Sequence, residues 1–405
     1  MSLTKRIFFG ILLILAVAGI GYGIYYFFFK PAAAPGTVVN ANANAPGGTL
    51  PSAGPGGNRP VAPGNANANA GLPGASLVAR GGLTVVSTLV SEATVGAVLG
   101  SDGRSMNYYD PATGQFYTVK ADGTKVLLST QVFPDVQNVT WSDDGTNAVI
   151  EFPDGSKITF NFLTQKQTTL PKTWSEFSFS QNGDLVTKNT DDNSAGNWLV
   201  VSNGDGSNPQ AVEPMGDNSG LVIVKPSPNG QVAAFSETGD LADVGSKNIL
   251  LIGKNGENLP ALTVKGENFD PLWSPDGSLL LYSSAFTDDD YKPRLYIVDG
   301  TGPTPGAGRI TLDLFTTADK CAFADKKTIY CAVPDSAPEG SGLDPETLIG
   351  IPDSIYKIDA TNGSVTFVGR PDNDMTALKL EVSNDGAELF LTDASTGFIK
   401  KMLLR

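Results

Sequence analysis

Histidine is absent from all 405 residues of this chain. Without an imidazole there is no Ser-His-Asp or Cys-His relay and no His-ligated metal, so zinc hydrolysis and His-held haem are excluded with it. Basic residues are also few. Lys and Arg number 28 against 42 Asp and Glu, for a formal net charge of −14. No basic stripe stands out, and a protein that grips phosphate backbones needs one, so nucleic acid is not an expected partner. Charged residues make up only 17 % of the chain, and helix-favouring charged runs are scarce.

Glycine and proline are abundant, at 46 and 27. Together with 40 % apolar residues, this composition points to many short strands joined by turns. The length would suit two or three domains, but all-β folds run long as single units.

Residues 1–6 read as a cytoplasmic amino terminus. Ile7 to Phe29 then runs for 23 residues without a charge. As a helix this is about 35 Å long, enough to cross a bilayer. Tyr22, Tyr25 and Tyr26 suit the aromatic interface belt, and Lys5 and Arg6 keep the amino terminus inside. The run is longer than the apolar core of a cleaved signal peptide, although Ala32, Ala33 and Ala34 offer small residues for cleavage. The expectation is an uncleaved signal-anchor in the cytoplasmic membrane, single-pass, with everything after it exported. No cysteine lies nearby for a lipid anchor.

Residues 30–82 are rich in Pro, Gly, Asn and Ala, with Asn-Ala tracts at Asn40–Ala45 and Asn65–Ala70. Little here can build a core, which predicts a disordered tether with a root-mean-square reach on the order of 40 Å.

From Leu83 onward a short phrase recurs. Its clearest copy is Trp273-Ser274-Pro275-Asp276-Gly277, followed by Leu279-Leu280-Leu281-Tyr282. Further copies are Trp141-Ser142-Asp143-Asp144-Gly145, Phe179-Ser180-Gln181-Asn182-Gly183, Pro226-Ser227-Pro228-Asn229-Gly230 and Val382-Ser383-Asn384-Asp385-Gly386. Ser101-Asp102-Gly103 is a shorter copy, and Ala324-Asp325-Lys326-Lys327 one that has lost its glycine. Each is a tight-turn signal: Pro presets φ, Asp or Asn follows, and Gly takes the left-handed position.

A second hairpin signal lies in most units, at Asp122-Gly123, Asp205-Gly206, Asn255-Gly256, Asp299-Gly300 and Asn362-Gly363. Four strands per unit, repeated about every 46 residues, predict an all-β, seven-bladed β-propeller, with six or eight blades as alternatives. The last unit has three strands' worth of sequence, and Leu83–Val90 is a spare strand ahead of the first. That strand is expected to close the last blade, making residues 83–405 one sealed ring. The Ser-Pro-Asp-Gly hairpin, followed by an apolar strand and then by one ending in Asp-Gly or Asn-Gly, resembles the TolB-type, WD-repeat-like propeller repeat. The resemblance covers about four fifths of the chain and speaks to fold rather than function. TolB itself is a soluble periplasmic protein with an additional amino-terminal domain, so its role in outer-membrane integrity is not carried over.

Cys321 and Cys331 flank the glycine-less turn. If that hairpin centres on Lys326 they oppose each other on adjacent strands, within reach of a disulfide in an oxidising compartment. Two free buried thiols are the alternative.

In a propeller the turns between first and second and between third and fourth strands share one face. The second-to-third connectors and blade-to-blade links share the other. The four longest connectors, 191–197, 238–247, 285–293 and 334–354, are all of the second kind. They hold twelve acids, Asp191, Asp192, Asp240, Asp243, Asp288, Asp289, Asp290, Asp335, Glu339, Asp344, Glu346 and Asp353, and two bases, Lys247 and Lys292. Such a face is either a solvated acidic surface or a site for a cationic partner or Ca²⁺. Asp288, Asp289 and Asp290 are the best local cation candidates, though without the ligand spacing of an EF-hand loop. No other cofactor is expected.

Paired loop carboxylates also admit a glycan-binding or glycan-cleaving propeller. Trp141 and Trp273, at equivalent repeat positions, read as core rather than as sugar platforms. The favoured expectation is a non-catalytic platform in the bacterial envelope for an envelope or secreted protein, or for a cell-wall component.

Overall fold

The computed structural model describes residues 74–405, with Asn258 left out. The expected amino terminus, membrane helix and most of the tether therefore lie outside the described residues. Among the described residues no helix is long and apolar enough to cross a membrane.

The described chain forms seven sheets. Blade 1 runs from strand Val95–Leu99 to Lys125–Leu127, blade 2 from Asn138–Trp141 to Lys166–Leu170, and blade 3 from Trp174–Phe179 to Gln210–Pro214. Blade 4 runs from Val222–Ile223 to Leu262–Lys265, blade 5 from Glu267–Trp273 to Ile310–Phe315, and blade 6 from Cys321–Phe323 to Val365–Pro371. Blade 7 contributes Ala377–Val382, Glu388–Asp393 and Ile399–Leu403. Its fourth strand is Val86–Val90, antiparallel to Ile399–Leu403 with Val86 opposite Met402. The first strands of blades 1 and 2, 2 and 3, and 6 and 7 touch one another, and that of blade 7 touches that of blade 1, so the ring is closed with first strands toward its axis.

All seven recurrent phrases fall between the first and second strands of a blade. Gly145, Gly183, Gly230, Gly277 and Gly386 all have φ between +64° and +82°, the left-handed region where a Cβ is costly. The serine of the phrase is as important as the glycine. Ser274 Oγ bonds the Asp276 carboxylate at 2.9 Å and accepts the Leu279 N–H at 2.9 Å, locking the turn to the strand that leaves it. Ser142, Ser227 and Ser383 repeat the arrangement with Asp144, Asn229 and Asp385.

Trp141 and Trp273 are core, as expected. Each is 9 % exposed and donates its indole N–H to the preceding blade, Trp141 to the Gly96 carbonyl in its first strand and Trp273 to the carbonyl of Lys225, just after its first strand.

Three details differ from the expectation. Leu83–Val90 is not one strand. Gly82–Thr84 pairs in parallel with the outermost strand of blade 6, and only Val86–Val90 completes blade 7. Pairing also begins before Leu83. Ser76 bridges to Thr84 and Val78 to Leu403, so residues 76–84 clasp blade 6 to the last strand of blade 7. Finally, part of the connector 238–247 is an extra strand, Leu241–Asp243.

Cys321 and Cys331 are register partners and form a disulfide. Both sulfurs sit in an apolar cluster with Ile329, Leu312 and Ile358. A ten-residue separation makes this cross-link worth about 2–3 kcal/mol in the chain-entropy account, in the blade whose turn lacks glycine.

Candidate functional site

The four long connectors belong to blades 3, 4, 5 and 6, four consecutive positions of the ring. Each joins a second strand to a third, so they share one face. They also touch. Gly340 and Gly342, in the blade 6 connector, donate their N–H groups to the carbonyls of Asp290 and Tyr291 in the blade 5 connector, each at 2.8 Å. The Gly342 carbonyl accepts from Asn268 Nδ2 at the top of blade 5. Built on Gly342, a Cβ would lie 2.6 Å from the Ala285 Cβ and 2.8 Å from backbone atoms of Tyr291 and Pro293, so only glycine allows this approach. On the blade 4 side, Gly245 packs against the Phe286 ring and its carbonyl accepts the Gly266 N–H at 2.9 Å.

The structure separates the acids of this face into three groups. Asp288, Asp289 and Asp290 are each held by a different cation. Lys265 lies 2.5 Å from Asp288, Arg294 makes a two-pronged contact with Asp289, and Lys292 is 3.2 Å from Asp290. Arg294 in turn lies over the Phe315 ring, 4.7 Å from its centroid. The triplet is thus the anionic half of three ion pairs. Among the described residues no group of three or more Cys, Asp or Glu side chains is placed to hold a metal ion.

Asp353 belongs to the interior rather than the surface. It is 2 % exposed, pairs with buried Lys320 at 2.7 Å and accepts the Ala377 N–H at 2.6 Å. Burial pushes its carboxyl up while the Lys320 ammonium pulls it back down. Asp335 is paired with Arg370 at 2.6 Å.

The remaining candidates, Asp191, Asp192, Asp240, Asp243, Glu339, Asp344 and Glu346, have no cation within salt-bridge distance among the described residues. Local geometry uses some of them. The Asp243 carboxylate accepts the Val244 N–H at 2.7 Å, and Asp344 precedes the short helical turn Pro345–Leu348. Every base near these connectors, Lys247, Lys265, Lys292, Arg294 and Arg370, already faces a carboxylate.

The sequence reading missed the apolar part of this face. Leu241 and Val244 are 82 % and 92 % exposed, and Leu343, Ile349 and Tyr291 are also exposed. The segment Asp240-Leu241-Ala242-Asp243-Val244-Gly245 has neither strict alternation nor an Asn-Gly or Asp-Gly pair to mark a hairpin, so a connector reading treats it as a polar linker.

The axis of the ring has one strongly perturbed group. Asp270, on the first strand of blade 5, is pushed up to about 6 by burial and by the neighbouring Asp319 charge. Its carboxylate accepts the Asp319 N–H at 2.9 Å. The folded state therefore holds this proton more tightly than the unfolded chain, whose carboxyl titrates near 3.8. Stability is expected to fall by about 2 kcal/mol as pH rises through 4 to 6, and then level off. Asp270→Asn keeps the acceptor and should flatten that slope in urea unfolding at pH 4.5, 6 and 7.5. An unchanged slope would assign it to other groups.

The described residues are therefore a seven-bladed β-propeller with a loop-built face over blades 3 to 6. No protein-family profile and no curated protein sequence matches the chain. Solved structures match its fold. An oligogalacturonate lyase in complex with manganese aligns with a TM-score of 0.54 at 15 % identity, over 79 % of this chain and 93 % of that one. The β-propeller domain of Cps50 (Swd1) from Myceliophteria thermophila aligns at 0.52 and 12 %, over 79 % and 100 %. Oligogalacturonate lyase from Vibrio parahaemolyticus aligns at 0.52 and 12 %, over 79 % and 93 %. At these identities the likeness is one of fold.

Proposed function

We propose that this chain is a membrane-anchored, extracytoplasmic propeller of the TolB-type repeat class that serves as a non-catalytic protein-binding platform in the bacterial envelope. The observation that carries it is the joined face of blades 4 to 6. Exposed Leu241, Val244, Leu343 and Ile349 stand there beside carboxylates without cations. Exposed apolar groups rimmed by polar ones are what protein interfaces use. The charge-free run Ile7–Phe29 behind Lys5 and Arg6 supports the anchor and its orientation. The buried Cys321–Cys331 disulfide suits an oxidising compartment.

Two of the structural neighbours are oligogalacturonate lyases, which keeps a glycan-cleaving alternative in view. Oligogalacturonate is a polyanion, and the loop face here has carboxylates to spare and, among the described residues, no uncommitted base. Coulombic repulsion disfavours that substrate at this face.

A photo-crosslinking residue placed at Leu343 or Ile349 of the membrane-embedded chain is expected to give a discrete protein adduct. The same residue at Asp276, on the tight-turn face, is expected to give none. Glycan turnover lost on Glu346→Gln, with no protein adduct from either loop position, would establish the enzyme instead.

A further inference from the structure

Blade 4 departs from its neighbours between its second and third strands. There the chain forms an extra strand, Leu241–Asp243, antiparallel to the start of Ser246–Gly253, with Leu241 opposite Lys247 and Asp243 opposite Ser246. Among the described residues it pairs only with that strand, so its other edge is unpaired, and all three of its residues are exposed. The hairpin turns at Val244-Gly245, with Gly245 at φ +73°.

The base of this hairpin is fixed. Lys247 is clamped between Glu237 and Glu267, and Gly245 is seated on Phe286. The Leu241 and Val244 side chains are bare, the two most exposed large apolar residues described. The gain from removing each of them from water is left unclaimed by the fold. A rigid base beneath an apolar tip is a pre-organised contact, and pre-organisation lowers the ordering cost of association.

The charge of the hairpin selects what covers it. Its single base is neutralised twice over, while Asp240 and Asp243 face no cation among the described residues. An anionic lipid surface is repelled by that arrangement. A segment with cationic side chains beside apolar ones complements it.

We propose that the hairpin tip docks a protein segment in which Lys or Arg residues flank aliphatic ones, so that its aliphatic groups cover Leu241 and Val244 and its cations face Asp240 and Asp243. This rests on the platform reading above and names the partner's chemistry.

The test uses the full-length chain in a non-ionic detergent and a fluorescein-labelled octapeptide, Lys-Val-Lys-Val-Gly-Lys-Val-Lys, followed by anisotropy. The Lys peptide is expected to bind, and its all-Glu counterpart is not. Leu241→Ser with Val244→Ser is expected to weaken binding about tenfold, and 0.5 M NaCl about as much again. Asp240→Lys with Asp243→Lys is expected to reverse the preference toward the Glu peptide. The two serine changes, at exposed side chains, should leave the melting temperature unaltered, which separates lost docking from lost folding.

Equal binding of the Lys peptide to the serine variant, equal binding of both peptides to the unaltered chain, or a hairpin-dependent dimer in sedimentation would each overturn the proposal. If the Leu343 adduct persists in the serine variant, the platform stands and this docking element falls. If the peptide binds at the hairpin while no adduct forms, the reverse holds.

Discussion

Removing residues 74–90, so that the tether joins directly to Ser91, is expected to abolish the single cooperative melting transition of the propeller. Blade 7 then keeps three strands and exposes the edge of Ile399–Leu403. Val86 and Val90 are 7 % and 0 % exposed, and Val90 packs in a cluster with Met106, Tyr108, Phe390 and Ile399, spanning blades 7 and 1. Losing the two valines alone costs about 3–6 kcal/mol, and the open edge invites pairing with a second chain. Circular dichroism melts together with sedimentation measure both effects.

A shorter deletion of residues 74–84 removes the clasp on blade 6 but keeps Val86–Val90. It should retain a cooperative transition at a lower temperature. If the 74–90 deletion melts like the full chain, the ring is not held shut by its first strand.

Lys320→Met is expected to destabilise the protein by about 3–5 kcal/mol, because it leaves a buried carboxylate without its cation. Lys320 Nζ is 2.7 Å from Asp353 Oδ1, and side-chain exposure at the pair is 7 % and 1 %. Asp353 also accepts the Ala377 N–H. One carboxylate thereby links the short helical turn before blade 6, the third strand of blade 6 and the first strand of blade 7.

Replacing both partners, as Lys320→Met with Asp353→Leu, is expected to recover much of the loss, since no lone charge remains, although the Ala377 N–H then lacks an acceptor. Urea midpoints for the two single variants and the double variant give the coupling. A cost below about 1 kcal/mol for Lys320→Met would show that water reaches Asp353.

Much of the fold was legible because the information is local. Ser-Pro-Asp-Gly fixes a turn with four consecutive residues, and the left-handed glycine, the Ser–Asp bond and the apolar strand after it lie within one short window. Counting such windows gave the blade number. A missing fourth strand at one end and a surplus strand at the other gave the closure. The opposition of Cys321 and Cys331 followed from the same local register, because a hairpin centred on Lys326 leaves them no other relation.

The candidate site was legible only in outline. That four long connectors share one face follows from strand order alone, and it was readable. Which of their carboxylates remain free was not. Asp288, Asp289 and Asp290 look alike in sequence, yet each is claimed by a separate cation, one of them Lys265 from the preceding blade. Asp353 looks like one more loop acid, yet Lys320, 33 residues away, draws it into the core.

The chain's turn chemistry, its repeat length and its lack of histidine determined a closed β-ring without imidazole chemistry, because each of these is written in neighbouring residues or in plain composition. The tertiary structure decided where charge stays unneutralised and where apolar side chains stay bare. Those outcomes depend on which groups from distant segments arrive within a few ångströms of one another. Linear order leaves that distance open, and blade packing sets it.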